Sequence, residues 1–114
     1  MLIDLDRAKD QLGIDQADDF EDTRITRLIN QAIGLVCSDI GRLIYQTAAD
    51  VPEGTEAPII LDELQTYQLA NLETACLLQI SSLDSNREVE IVNSMAKNPA
   101  YTTAIKQFKR VLIG

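Results

Sequence analysis

The sequence predicts an all-α protein: a small helical bundle with one long central helix, a second long helix and shorter N- and C-terminal helices. Three observations carry that reading. Between Asp18 and Ile44 the apolar residues Phe20, Ile25, Leu28, Ile29, Ala32, Ile33, Val36, Cys37, Ile40, Leu43 and Ile44 follow the i, i+3, i+4, i+7 steps of one helical face. A second run of the same period extends from about Ile60 to Ser82. Helix-boundary signals punctuate the chain, with capping residues at Asp4, Asp18 and Asn98 and breakers at Gly13 and in Pro52, Gly54 and Pro58.

At 114 residues and 46% hydrophobic content the chain makes one domain, residues 1–114. With three Tyr, two Phe and no Trp the core is aliphatic and modest, a condition that oligomerisation often completes. No apolar run approaches the roughly 18 residues of a membrane span, and the N-terminus lacks the basic and apolar regions of a secretory signal. Cys37 and Cys76 lie on apolar helical faces and read as small hydrophobes in a reducing compartment, with a disulfide as the alternative. The absence of histidine excludes His-based triads, His-ligated zinc and imidazole acid–base catalysis.

The net charge of −8 is unevenly spread. Residues 1–90 hold all eighteen acids against six bases, a net −12, and residues 91–114 hold Lys97, Lys106, Lys109 and Arg110 with no acid, a net +4. An acidic body with a basic tail suggests that the tail docks on an acidic surface of its own subunit, a neighbour or another protein; the plainer reading is a solvated cationic helix face. Sequence-specific DNA binding is disfavoured because the body repels phosphate.

Taken in order, the first helix spans Leu5 to Leu12, capped by Asp4 and ended by Gly13, with Leu5, Ala8 and Leu12 on one side. The linker Ile14–Ala17 leads to the long helix, which Asp18 and Glu21 open as a capping box. At about 1.5 Å per residue the helix from Asp18 to Ile44 is roughly 40 Å long, more than a compact chain of this size needs. The acids Asp15, Asp18, Asp19, Glu21 and Asp22 lack the central glycine and terminal glutamate of an EF-hand loop, so no metal is expected. Opposite the apolar stripe lie Arg27, Gln31, Gly34, Ser38 and Gly41. This strip either admits another backbone, such as that of a neighbouring subunit, or reflects tolerated glycines or a local bend.

Residues Gln46 to Pro58 form the main loop, acidic at Asp50, Glu53 and Glu56. The second long helix carries Leu61, Leu64, Leu69, Leu72, Ala75, Cys76, Ile80 and Leu83 as its core stripe. Tyr67, Leu77 and Leu78 fall outside it and face either a four-helix core or, as preferred here, a subunit interface. Ser85-x-x-Glu88 resembles a capping box for a short helix to Lys97 with Val89, Val92 and Met95 or Ala96 inward, although Val89 and Ile91 also alternate as a strand would. Asn98 caps a last helix with Pro99 at its first position. Tyr101, Ile105, Phe108 and Leu112 form its apolar stripe, with Lys106, Lys109 and Arg110 off it.

No P-loop, dinucleotide fingerprint, nucleophile elbow or zinc cluster is present, so no enzyme activity and no cofactor are expected. Ser82-Leu83-Asp84-Ser85 is similar to the phosphopantetheine motif of acyl carrier proteins, but Asn86 stands where Leu belongs and the main helix does not follow; a capping serine is the better reading.

The pattern Leu5-Asp6-Arg7-Ala8-Lys9-Asp10-Gln11-Leu12-Gly13-Ile14-Asp15, then Asp18-Asp19, then Ile25-x-x-Leu28-Ile29-x-x-Ala32, resembles the head-tail connector proteins of tailed bacteriophages, also called head-completion or DNA-packaging adaptors. The resemblance covers residues 3–45 well and Leu61–Leu83 loosely, and residues 84–114 have no specific counterpart. It implies a helical virion subunit, assembled in the host cytoplasm into a ring, usually dodecameric, at the neck of the particle. Such a ring joins the capsid portal to a stopper or tail-completion protein and extends a DNA channel, with DNA only passing through and no membrane involved. On this reading Arg27, Gln31, Gly34, Ser38, Gly41, Tyr67, Leu77 and Leu78 are candidates for the subunit interface. Tyr101, Ile105, Lys106, Phe108, Lys109, Arg110 and Leu112, in the docking helix 98–114, are candidates for gripping the portal. Asp50, Glu53 and Glu56 are candidates for the lumen or the next ring. Two other classes compete: a non-viral helical regulatory module binding one protein partner, which a strictly monomeric or dimeric protein would favour, and a carrier protein, which a phosphopantetheine mass on Ser85 would reveal.

Overall fold

The computed structural model describes residues 2–85 and 98–109. Asp4 accepts from the Arg7 amide at 2.8 Å and opens α1, Leu5–Leu12, and Gly13 closes it at φ 71°, both as expected. Helix α1 lays Ala8 in the core with Leu5 and Leu12 half-buried against it.

The long central helix is α2, Asp22–Ile40, shorter at both ends than the periodicity implied. At its start Asp18 does not cap the helix. Its carboxylate accepts from the Phe20 amide at 3.0 Å, closing a local turn, while the Glu21 carboxylate is taken by Arg24. Five acids in eight residues offer competing turns, and an Asx turn won over the capping box. Phe20, expected on the buried stripe, is 91% exposed. At the other end Gly41, expected inside the helix, adopts φ 70° and is its C-cap, its amide donating to the Cys37 carbonyl at 2.9 Å. Leu43 is accordingly outside the helix and 53% exposed. The 19 residues that remain span about 28 Å.

After α2 the chain enters β1, Ile44–Tyr45, which pairs in parallel with β2, Ile59–Ile60, in the register Ile44 to Ile59 and Tyr45 to Ile60. Periodicity could not reveal this pair, since two-residue strands carry no pattern and their partner lies beyond the loop. Within the loop a 3₁₀ turn, Ala48–Asp50, is held by Asp50 accepting from both the amide and hydroxyl of Thr47.

The second long helix was expected from about Ile60. The β-branched pair Ile59–Ile60 instead favours extended chain, a 3₁₀ turn covers Leu61–Glu63, and α3 runs from Thr66 to Ser85. Its stripe is buried at Leu72, Ala75, Cys76 and Ile80. Ser85 is the last residue of α3; the capping box from Ser85 to Glu88 and the short helix expected to Lys97 lie outside the described residues. Finally Asn98 accepts from the amides of Ala100 and Tyr101 and opens α4, Pro99–Ile105, followed by a 3₁₀ turn, Lys106–Phe108.

Helices α2 and α3 pack antiparallel, because Arg24 near the start of α2 pairs with Asp84 near the end of α3 at 2.6 Å. Both α1 and α4 pack on α3, and Ile3, Ile25, Ile29, Ala32, Val36, Leu72, Ala75, Cys76, Ile80 and Tyr101 form the centre of one core. Lys9 is buried, its ammonium 2.8 Å from the Asp22 carboxylate and 3.3 Å from the Gln16 carbonyl, and so fastens α1 to the start of α2 across the linker. Cys37 and Cys76 are free thiols, and burial pushes the Cys76 thiol up to about 12. No helix among the described residues is long and apolar enough to cross a membrane.

Candidate assembly surfaces

The outer side of α2 presents Arg27, Gln31, Gly34 and Ser38, all exposed, and Gly41 continues the line at the cap. Steps of three and four residues place them in one row. A Cβ added at Gly34 would meet no atom within 4 Å, so nothing in the subunit itself requires glycine there.

The row ends in an open groove of about 650 Å³ between the C-terminal half of α2 and the tip of the main loop, floored by Gly34, Cys37 and Gly41 and flanked by Leu43, Glu53 and Glu56. The loop thus folds back beside α2, which joins two of the sequence-predicted sets, the small-residue strip and the acidic loop, along one groove. Asp50 is exposed but is engaged in the 3₁₀ turn.

Arg42, which sequence reasoning did not single out, holds this region together. Its guanidinium donates to the Ala57 carbonyl at 2.7 Å, to Pro58 at 3.3 Å and to Phe108 at 3.4 Å, tying the loop and the C-terminal turn to the end of α2. No local pattern marked it, because its acceptors lie 15, 16 and 66 residues further along the chain.

The C-terminal set is divided by the structure. Tyr101, Ile105 and Phe108 are only 2–3% exposed and belong to the subunit's own core, so as the chain stands they present no docking face. Tyr101 donates its hydroxyl to the Asp39 carboxylate; burial, then that bond, raises its pKa. Lys106 and Lys109 are exposed, and Arg110 and Leu112 lie outside the described residues. On α3, Tyr67 is 59% exposed, whereas Leu77 and Leu78 are half-buried against the core.

A family model described as phage gp6-like head-tail connector protein matches residues 2–105. The chain belongs to that family. The match extends the resemblance seen in residues 3–45 across the main loop, α3 and α4. No curated protein and no solved structure matches the chain. As a head-tail connector it is a structural component of a phage virion, from a family of structural proteins and not of enzymes. The family implies contacts with other phage head and tail proteins and with further copies of itself.

Proposed function

We propose that this connector forms a ring that joins the capsid portal to the tail or stopper and extends the DNA channel at the neck of the virion, after assembly in the host cytoplasm. The observation that carries the proposal is the family match over residues 2–105. The surfaces support it. The α2 row Arg27, Gln31, Gly34, Ser38 and Gly41, with Tyr67 and the half-buried Leu77 and Leu78, supplies lateral contacts between copies. An exposed mid-helix glycine costs about 1 kcal/mol relative to alanine, and close approach of a neighbour is a physical reason to keep it. The net charge of −8 suits a channel through which phosphate must slide without being held. Asp50, Glu53 and Glu56 face the lumen or the next ring in this reading. The portal is met by the C-terminal region through Lys106 and Lys109 together with Arg110 and Leu112, with Tyr101, Ile105 and Phe108 setting the position of that region from inside the core.

The test is to mix the purified protein with the portal from the same genome and read the product by mass photometry and negative-stain microscopy. A ring of added subunits beneath the portal is the expected result. A protein that stays free at low and moderate salt would overturn the proposal. Ring formation needs no portal-free oligomer, because association driven by a template follows the template's concentration.

A further inference from the structure

Phe20 is more exposed than any other large apolar side chain among the described residues, at 91%, yet the loop that carries it is ordered. The Asp15 carboxylate accepts from the Ala17 amide at 2.9 Å, Asp18 accepts from Phe20 itself at 3.0 Å, and Lys9 reaches the Gln16 carbonyl at 3.3 Å. The ring is held out from the subunit by hydrogen-bonded turns. Burial of a Phe side chain is favourable, a gain the isolated subunit forgoes, and preorganised aromatics are what interfaces use as anchors.

The surroundings of Phe20 specify the partner's charge. Asp15, Asp18 and Asp19 are all exposed beside it, so the complementary surface is cationic. Most cations of the described chain are already engaged: Arg7 with Glu73, Lys9 with Asp22, Arg24 with Glu21 and Asp84, and Arg42 with carbonyls. Arg27 is exposed on the outer side of α2 and has no ion pair among the described residues; Gln31 and Gly34 follow it, with open space above Gly34. Lys106 and Lys109 are also exposed, but they adjoin Phe108, which Arg42 holds at the far end of α2. Arg27 lies in the second turn of α2, at the same end of the molecule as Phe20. Copies related by rotation about a ring axis stand at the same height, so two patches at the same end of the subunit suit a contact between neighbours in a ring.

We propose that Phe20 of one subunit packs on the outer side of α2 of the adjacent copy, over Gln31 and Gly34, with Asp19 facing Arg27. This inference rests on the ring reading above and names the two unlike patches that make the ring's heterologous contact. The Arg27 guanidinium gains both a carboxylate and an aromatic face.

The experiment uses the full chain on the same portal. The variants are Phe20→Ser, Asp19→Arg, Arg27→Asp and the double variant Asp19→Arg/Arg27→Asp, each first checked for native helicity by circular dichroism. All should fold, since the three side chains are exposed. Each single variant should need about tenfold more protein than wild type to half-fill the portal, the scale of a lost anchor or charge contact. The double variant should return to within about twofold, because reversing both charges restores attraction between copies; no contact with the portal can be rescued in this way. Full rings from Phe20→Ser, or a double variant no better than its parents, would overturn this contact while leaving the ring reading in place. Absence of a ring from the wild type would overturn the ring reading and this contact with it.

Discussion

At the scale of single residues the core depends on a few buried polar groups. Tyr101 carries the largest of them, its ring in the core and its hydroxyl on Asp39. Tyr101→Phe should lower stability by about 1 kcal/mol, since the exposed Asp39 regains water, whereas Tyr101→Ala should lose about 3–5 kcal/mol through the cavity it leaves; urea unfolding measures both. The same residue sets an alkaline limit. The pKa values of Tyr101, Cys76 and Lys9 are all raised, the first two chiefly by burial and the third chiefly by its hydrogen bond to Asp22. A group whose pKa is raised by folding contributes stability that is complete below its unfolded value and is lost as pH climbs through the folded value. Stability should therefore hold from neutrality to about pH 8, begin to fall near pH 9 as Cys76 ionises in the unfolded chain and fall further above about pH 10 with Tyr101 and Lys9, and Tyr101→Phe should flatten the later part of that fall in a pH series of thermal melts.

Among the elements, the two ends of α2 explain what the sequence revealed and what it hid. Helix α1 and the start of α4 were legible because Asp4, Gly13 and Asn98-Pro99 act on amides and carbonyls within a turn of themselves. The start of α2 was not, because Asp18 closes a turn with Phe20 as readily as it caps a helix, and a period of 3.6 cannot say where its first member leaves the helix. The β1–β2 pair was hidden because its hydrogen bonds join residues across a whole loop. The candidate surfaces show the same division. The exposed row on α2 followed from spacing alone, while the burial of Tyr101, Ile105 and Phe108 depended on α3, which no local pattern reports. The two glycines of α2 should now behave oppositely. Gly41→Ala forces a side chain into left-handed backbone and should destabilise by about 1 kcal/mol; Gly34→Ala has room and helical backbone and should stabilise by about 0.5–1 kcal/mol. Thermal melts of the two variants, shifted in opposite directions, would check this.

For the whole molecule, charge separates folding from assembly. Lys106 and Lys109 are exposed and form no ion pair among the described residues, so Lys106→Glu/Lys109→Glu should leave stability within about 0.5 kcal/mol of wild type. If they meet the portal as proposed, the same change should weaken portal association and reduce its salt dependence, which a titration of binding at two ionic strengths would show. Unchanged binding would move the docking role to other residues.

The clasp formed by β1, β2 and Arg42 also makes the main loop a cassette. Its two stems are fastened to each other and to the end of α2, so a change at the tip between them leaves the stems' pairing in place. Doubling the length of a flexible loop between fixed stems costs only about 0.6 kcal/mol. A short flexible epitope grafted at Gly54, which stands in left-handed backbone with open space around it, should therefore leave the melting of the body nearly unchanged. Sequence can then change at that tip without refolding the subunit that carries it.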